Sequence, residues 1–413
     1  MKMNKIMVSM LAAGVIASPL AHATDGYFPT GYGVKNEAMG GASIALPLDA
    51  VAAANNPAGM VMVGDRVDFA LTWFKPDRSA QITAPSPAAG TYDGNGRSNF
   101  FIPDFGYNKM ISADTSLGVS VYGNGGMNTQ YNTNPFTAFG ANGNLGINLE
   151  QLFVAPTWAM KINPTNAVGV SLNLAYQMFS ATGINGLAFS GMSSSSGNLS
   201  DNGTDTSTGY GVRIGWTGEV TPTVTLGATY QSKTSMSKFS NYSGLFADQG
   251  SFDIPSNYGL GIAVKATPAT TVAFDVVRTN YSDVSSVSNT FPQPLPLGAT
   301  GGPGFGWQNI NTYKLGVSYA YDSTLTLRAG LNHCDQPIPD NQTLLNIVAP
   351  AVVQNHLSLG ATWILANKSE LSVAYVHAFS QTVNGSGSIP GSFGGGDANL
   401  TMKEDSIGVS YGW

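Results

Sequence analysis

This sequence predicts an all-β fold, a transmembrane antiparallel β-barrel of about 14 strands. Three observations carry the expectation: an alternating last strand that ends on an aromatic residue, a secretory leader at the other end, and a scarcity of charge. Ile407, Val409, Tyr411 and Trp413 alternate with Ser406, Gly408, Ser410 and Gly412, which gives the strand one greasy face and one small, polar face. Lys2 and Lys5, the apolar run over residues 6–20 and the small-x-small site Ala21-His22-Ala23 describe a cleaved signal peptide over 1–23. The mature chain is then expected from Thr24. Ser18 and Pro19 break the run too early for a spanning helix. Only 18 Lys+Arg and 24 Asp+Glu occur in 413 residues, far below the roughly 25 % charge of soluble domains. Small and polar residues, 50 glycines among them, fill the positions between hydrophobes, as alternating lipid-facing and lumen-facing positions require.

Taken in order, Val67, Phe69, Leu71 and Trp73 open the alternation, and residues 101–109 follow a Gly/Asn-rich break. Leu117, Val119 and Val121 run into Gly123-Asn124-Gly125-Gly126. Further strands are expected at 151–162, 168–181, 210–219, 224–238, 258–266 and 271–281, then at 313–321, 325–333, 356–365 and 371–383 before the final one. Tight links at 112–114, 163–166, 221–222, 267–269, 322–323 and 366–368 alternate with long ones at 84–96, 132–149, 183–207, 239–255, 282–309, 335–353 and 384–400. The short set reads as periplasmic turns and the long set as extracellular loops. A soluble β-sandwich would carry polar residues on its outward phase, where this chain has Val, Leu, Ile and Phe, with Trp and Tyr near segment ends.

Residues 24–64 do not alternate, and the barrel is expected over 65–413. This first segment is rich in small residues, with Gly40-Gly41, a short helix expected around 48–54, and then Asn55-Asn56-Pro57-Ala58-Gly59-Met60. Pro lacks an amide hydrogen and Gly tolerates positive φ, so Asn-Pro-Ala-Gly is expected to stop that helix. A weakly charged segment of small residues ahead of a barrel has the make-up of a compact plug, or hatch, inside the lumen.

With Gly26-Tyr27, Gly40-Gly41, Asn56-Pro57-Ala58-Gly59-Met60 and the aromatic C-terminus, the mature chain resembles the FadL family of outer-membrane long-chain fatty acid transport proteins, which includes the toluene and xylene porins. The resemblance implies an N-terminal hatch followed by a barrel of about 14 strands, with Asn56, Pro57 and Ala58 as its most specific piece. It implies that N-terminal residues, here Tyr27 and Phe28, contact a ligand in the lumen. Tyr27 stands where the family has Phe, so a hydroxyl is added. It also implies a kinked third strand where the wall opens sideways, which falls on Gly123, Asn124, Gly125 and Gly126. Independently, glycine inside a strand marks a bulge or bend, and an unpaired stretch of wall is costly in lipid unless a plug or water satisfies it. An ordinary β-bulge near the extracellular rim is the alternative.

Catalysis has little to stand on. His333 and His377 follow the outward phase of their strands and His356 the inward phase, so they do not converge on a metal site or a Ser-His hydrolase. The glycine-rich run 301–306 contains Pro303 and leads into a strand, which makes it a loop and no phosphate cradle. Asp201-Asn202-Gly203-Thr204-Asp205 lacks the Glu of a calcium loop. Net charge −6 argues against nucleic acid, and Cys334, the single cysteine, excludes an internal disulfide. No enzyme activity, cofactor or metal is expected. Arg66, Arg213, Lys265, Lys314, Arg328, Asp68 and Asp275 fall on the lumen phase, where mutual ion pairing is expected. A fatty carboxylate could use one of the cations instead, and Arg213 and Lys314 are the candidates.

The sequence therefore predicts an outer-membrane channel for passive uptake of hydrophobic compounds, long-chain fatty acids first and aromatic or aliphatic hydrocarbons second. Leu187, Phe189, Leu245 and Phe246 in the long loops would capture a ligand, which enters a lumen pocket and leaves sideways. Burial at ~0.8 kcal/mol per methylene drives capture. A general diffusion porin would need an open lumen with a charged constriction, and an adhesive barrel would need larger loops. Expected partners are the hydrophobic ligand, outer-membrane lipid and lipopolysaccharide, and a barrel-assembly machinery that reads the C-terminal strand. A monomer is expected, without nucleic acid.

Overall fold

The structure, a computed structural model, describes residues 24–188 and 191–413. The expected signal peptide, Phe189 and the side chain of Leu187 lie outside the described residues. Sixteen strands share one antiparallel sheet. Two of them, Gly90–Asp93 and Ser235–Met236, are short extensions in the loops, and the other 14 form a closed barrel. The barrel strands begin with β1 (Arg66–Ile82), β2 (Phe100–Met110), β3 (Thr115–Tyr131), β4 (Leu145–Asn163) and β5 (Asn166–Thr182). They continue with β6 (Asp205–Thr221), β7 (Val224–Gln231), β8 (Asn257–Thr267), β9 (Thr270–Thr279) and β10 (Ile310–Ala320). The last are β11 (Leu325–Cys334), β12 (Asn355–Ile364), β13 (Glu370–Val383) and β14 (Ala398–Gly412).

Neighbours in the chain are neighbours in the wall, and β14 returns to β1 in unbroken register from Asp68 opposite Gly412 to Ile82 opposite Ala398. Val67 and Trp413 extend that seam by exchanging both backbone hydrogen bonds, at 2.9 and 3.0 Å, so the last residue takes part in closure. Period-two placement puts Leu71, Leu172, Ile214, Leu260 and Val409 outside, and Asp68, Ser171, Arg213, Asp275 and Ser358 inside. Greasy outside and polar inside is the arrangement a surrounding bilayer selects. Tight turns occupy the six expected links. At one of them Asp322 Oδ1 accepts from Thr324 N at 2.7 Å, from Thr324 Oγ1 at 2.8 Å and from Leu325 N at 2.8 Å. A short side chain that reproduces turn hydrogen bonds sets the reversal from β10 to β11.

Several sequence expectations need correction. The segment 224–238 is barrel strand only to Gln231; beyond it Thr234 bridges Ile254 and Ser235–Met236 pairs with β6, which folds the chain into the loop cluster. Strands β4 and β14 begin earlier than expected, at Leu145 and Ala398, because outward residues there such as Asn148, Asn399 and Thr401 are polar and hide the alternation. The helix expected around 48–54 shrinks to a 3₁₀ turn at Ala52–Ala54, since so short a run cannot offset the cost of nucleating a helix. Asn56 does not stop that turn but starts the next one, Pro57–Gly59, its side chain accepting from Ala58 N at 3.1 Å.

Residues 24–64 lie within the wall and are almost wholly buried. Side chains from around the barrel hold them. Asp68 on β1 accepts from Ala50 N, Ser358 on β12 from Gly40 N, and Asp275 on β9 from Ser43 N and Ile44 N, all at 2.7–2.9 Å. Asn108 on β2 donates to Met60 O and Lys314 on β10 to Thr30 O, both at 2.7 Å. These bonds give the interior polar groups partners that lipid outside the wall does not offer. Of the ion pairs expected in the interior, Arg66 with Asp68 forms at 2.7 Å and is joined by Glu370 and Lys35. Asp275 serves backbone amides instead, and Lys314 pairs at 3.4 Å with Asp25 of the first segment. Among the described residues Arg213, Lys265 and Arg328 make no ion pair.

Candidate functional site

Phe28, Arg213 and Lys314, far apart in sequence, line one internal pocket with Asp25, Tyr32 and Asp275. The pocket lies between the first segment and strands β6 to β10. Alternation on β6 and β10 turns both cations inward, but they are not equivalent. Lys314 is already committed to Thr30 O and Asp25. Arg213 donates to Asn55 O at 3.1 Å and to Gln231 Oε1, both neutral acceptors, and its Nε has no partner. A guanidinium served by neutral groups still has its charge to offer to an anion.

Leu245 and Phe246 line a second pocket among the loops, with Phe136, Phe179, Leu297 and Phe305. Its lining is almost wholly apolar. Tyr27 lines neither pocket; it lies between them. Ring centroids step from Phe246 to Phe252 at 4.7 Å, from Phe252 to Tyr27 at 6.3 Å and from Tyr27 to Phe28 at 4.9 Å, so aromatic contact runs from the loop pocket to the inner one. Tyr281 and Trp307 flank Tyr27 at 5.5 and 5.9 Å. Such spacings are those of favourable ring pairs. Phe252, Tyr281 and Trp307 were not among the residues picked from sequence, because loop aromatics carry no periodicity to single them out.

The third strand is broken on one side only. β2 and β3 pair from Met110 opposite Ser116 to Phe105 opposite Val121 and then part. β3 nevertheless keeps its ladder with β4 up to Tyr131, with a register shift between Gly123 and Gly125. The strand therefore keeps its ladder with one neighbour and loses it with the other, and the bulge and the gap coexist. Residues 122–129 are all buried, without alternation, because the strand leaves the wall and meets the first segment. Gly126 N donates to Tyr27 O at 3.1 Å, and the Tyr32 hydroxyl reaches Asn124 O and Oδ1 at 3.3 and 3.2 Å. A Cβ on Gly125 would sit 2.3 Å from Tyr27 O, so this approach requires glycine.

Above the gap the wall is rejoined. Gln130 and residues 94–96 exchange backbone bonds at 2.9 and 3.1 Å, and the Arg78 guanidinium holds the carbonyls of Asn128 and Arg97. Within the gap, Phe74, Phe100 and Ile102 form a buried apolar cluster against Leu152 of β4. Phe100 and Ile102 face inward on β2 whereas Leu152 has the outward phase on β4, and they meet because β3 has withdrawn from between them. Arg78 and Leu152 are functional candidates that sequence reasoning missed, although Arg78 could have been found by its inward phase on β1.

Asn56, Pro57 and Ala58 fasten the first segment at a different place. Asn56 Nδ2 donates to Ile44 O at 2.7 Å and to Trp216 O on β6 at 3.0 Å. Gly215 and Gly169 make room for this contact, since a Cβ would fall 1.9 Å from Asn56 Oδ1 and 2.4 Å from the Pro57 carbonyl carbon.

The architecture has known counterparts. The Pseudomonas putida toluene transporter TodX is similar in structure at 18 % identity and TM-score 0.71, with 93 % of this chain and 98 % of that one covered. A Pseudomonas aeruginosa FadL homologue is similar at 16 % identity and TM-score 0.71, with 96 % and 99 % covered. The Ralstonia pickettii toluene transporter TbuX follows at 18 % identity and TM-score 0.65, covering 93 % and 98 %. No curated relative matches the sequence. The family described as outer membrane protein transport protein (OMPP1/FadL/TodX) matches residues 29–411. A closed barrel around a buried N-terminal segment, matched to that family over nearly its whole length, places this chain in the outer membrane as a member of the OMPP1/FadL/TodX family of transport proteins.

Proposed function

We propose that this channel takes up hydrophobic molecules passively, long-chain fatty acids above all, by capture in the loop pocket, passage to the lumen pocket, and sideways exit between β2 and β3. The observation that carries this reading is the continuous aromatic contact from Phe246 through Phe252 and Tyr27 to Phe28, which joins the two pockets. A greasy ligand can follow it without returning to water. At the inner end Arg213, without a carboxylate partner among the described residues, suits an acid head group. Residues 24–64 then act as a hatch, because Tyr27 is bonded both to Tyr281 and to the bulge at Gly126, and release needs that contact to loosen.

A monoaromatic hydrocarbon is the second reading. The rings around Tyr27 and the commitment of Lys314 to Asp25 favour it, as do the solved toluene transporters TodX and TbuX. Uptake of oleate and of toluene by a transporter-null strain, at equal surface expression, separates the two. For a fatty acid channel, Arg213→Gln is expected to cut oleate uptake roughly tenfold, as loss of a charge-assisted bond does, and to spare toluene. Equal loss for both ligands overturns the head-group role. Swelling of protein-containing liposomes in sugar solution would reveal a general porin instead.

A further inference from the structure

Where β3 leaves the wall, the outer surface carries a polar hollow. Asn128, Asn148 and Ser180 stand opposite one another across β3, β4 and β5, and one step nearer the loops stand Gln130, Gly146 and Thr182. The intervening residues Met127, Leu149 and Phe179 belong to the buried core, so the polar rows point outward. Arg97, next to the segment that rejoins the wall, bounds the hollow on one side, and Asp201, beyond β5, on the other. Gly146 leaves its centre unfilled. The hollow has a volume of about 370 Å³, within the roughly 300–1,000 Å³ range of small-molecule sites. Farther from the loops the same outward faces carry Leu152 and Tyr176, then Val154 and Leu174. Leu174 and Tyr176 are exposed, as lipid-facing and interfacial side chains are. The hollow therefore sits just above the apolar band on the loop side, at the level where lipid head groups meet the wall.

We propose that this hollow binds the sugar head group of a membrane glycolipid, of which lipopolysaccharide is the outer-membrane kind. Amide and hydroxyl side chains both donate and accept, as sugar hydroxyls do, and here a rigid sheet presents them side by side. Asn128 Nδ2 donates to Asn148 Oδ1 at 2.8 Å and Asn148 Nδ2 to Glu150 Oε1 at 2.7 Å, which fixes the orientation of both amides. One guanidinium, Arg97, and one carboxylate, Asp201, are the charged groups of the lining, so it has no net charge with which to select a bare anion. Arg97 makes no ion pair among the described residues and can meet a phosphate carried by the sugar. With the sugar seated, the acyl chains run down over Tyr176 and Leu152, and Leu152 packs against Phe100 and Ile102 in the gap. A bound lipid thus stands at the mouth of the break between β2 and β3. The inference rests on the outer-membrane placement of the barrel and not on which hydrophobe it carries.

The test is native mass spectrometry of the purified protein in a polyether detergent, titrated with deep-rough lipopolysaccharide, with phosphatidylethanolamine, and with the sugar released from that lipopolysaccharide by removal of its acyl chains. Wild-type protein is expected to bind the lipopolysaccharide at least tenfold more tightly than the phospholipid, which is what one or two net hydrogen bonds supply. Ser180→Trp fills the hollow and should remove that preference while leaving phosphatidylethanolamine binding unchanged. If loss of the heat-modifiable gel shift shows that this variant does not fold, Thr182→Trp, at the more exposed end of the same face, and a crystal structure of the wild-type protein with lipopolysaccharide decide. A sugar resting in the hollow supports the assignment, and a sugar elsewhere overturns it. Equal affinity of the wild-type protein for the two lipids overturns it too, as does a preference that survives the tryptophan in a folded barrel. Binding of the released sugar as tightly as the intact lipopolysaccharide would overturn the glycolipid in favour of a soluble saccharide.

Discussion

Two seams of the same wall behave in opposite ways. Between β14 and β1 every residue from Asp68 to Ile82 has an opposite number, and Val67 and Trp413 carry the ladder to the end of the chain. Between β2 and β3 the ladder stops at Phe105 and Val121, and five residues of β2, Phe100 to Asp104, have no partner on β3. A wall in lipid tolerates such a break only where backbone groups find other partners. On the β3 side those partners are Tyr27 and Tyr32 of the first segment and residues 94–96. On the β2 side, side chains close the gap, with Leu152 reaching Phe100 and Ile102. One seam is held by an unbroken backbone ladder, and the other, beyond Phe105 and Val121, by side chains and a segment that the wall encloses.

The sharpest way to break this contrast is Gly125→Val. Its Cβ would collide with Tyr27 O, so the first segment must shift and the bulge loses its partner. Uptake is expected to fall at least tenfold while the gel shift of a folded barrel persists. Normal uptake in a wall shown by crystallography to be closed there would send the ligand through the periplasmic end. Next in size is Asn56→Ala, which removes the ties to Ile44 and Trp216 as well as the cap on Ala58, and should lower thermal stability by about 1–3 kcal/mol, the cost of buried groups left unpaired. Pro57→Ala should cost less, because the proline contributes only a fixed φ at the start of that turn. Calorimetric unfolding of the two variants ranks them, and the reverse order would shift the anchor to Pro57.

Leu152→Ala sharpens the contrast from the other side. It empties part of the gap filling, so flux of a small hydrocarbon into liposomes should rise about twofold, whereas Leu152→Trp should slow it. Unchanged flux in both would mean that ligands do not pass this point. The smallest effect is expected at the intact seam. Val409→Ala trims one lipid-facing side chain opposite Leu71 and should leave uptake within error of wild type. A clear transport defect there would show that the seam, too, takes part in the route.

Most of the wall is legible in the sequence because an outward residue has one solvent, lipid, and that solvent imposes Val, Leu and Ile at every second position. Legibility fails where this constraint ends. The early residues of β4 and β14 rise beyond the apolar band, and their strands are invisible to hydrophobic alternation. Gly123 to Gly126 announce a bend, but nothing local says that the ladder survives toward β4 and fails toward β2, because that depends on what fills the lumen. Arg213 and Lys314 are visible as inward cations, whereas the prior commitment of Lys314 to Asp25 depends on where a distant segment comes to rest. Leu152 has the phase of an ordinary lipid-facing residue, and its contact with Phe100 and Ile102 exists only because β3 has moved aside.

Closure of the barrel at Val67 and Trp413 has a kinetic consequence. The seam joins the first strand of the wall to the fourteenth, so it cannot form until all the intervening strands have been made, and pairing over such sequence separation is slow. Residues 24–64 precede β1 and are made before it. They are thus present while Asp68, Asp275 and Ser358 are still looking for partners, and they can be bonded by these side chains before the ring is complete. The wall then condenses around its own contents. A chain that lacks the segment should therefore close more slowly even if it reaches the same strand order, which refolding kinetics in detergent would measure.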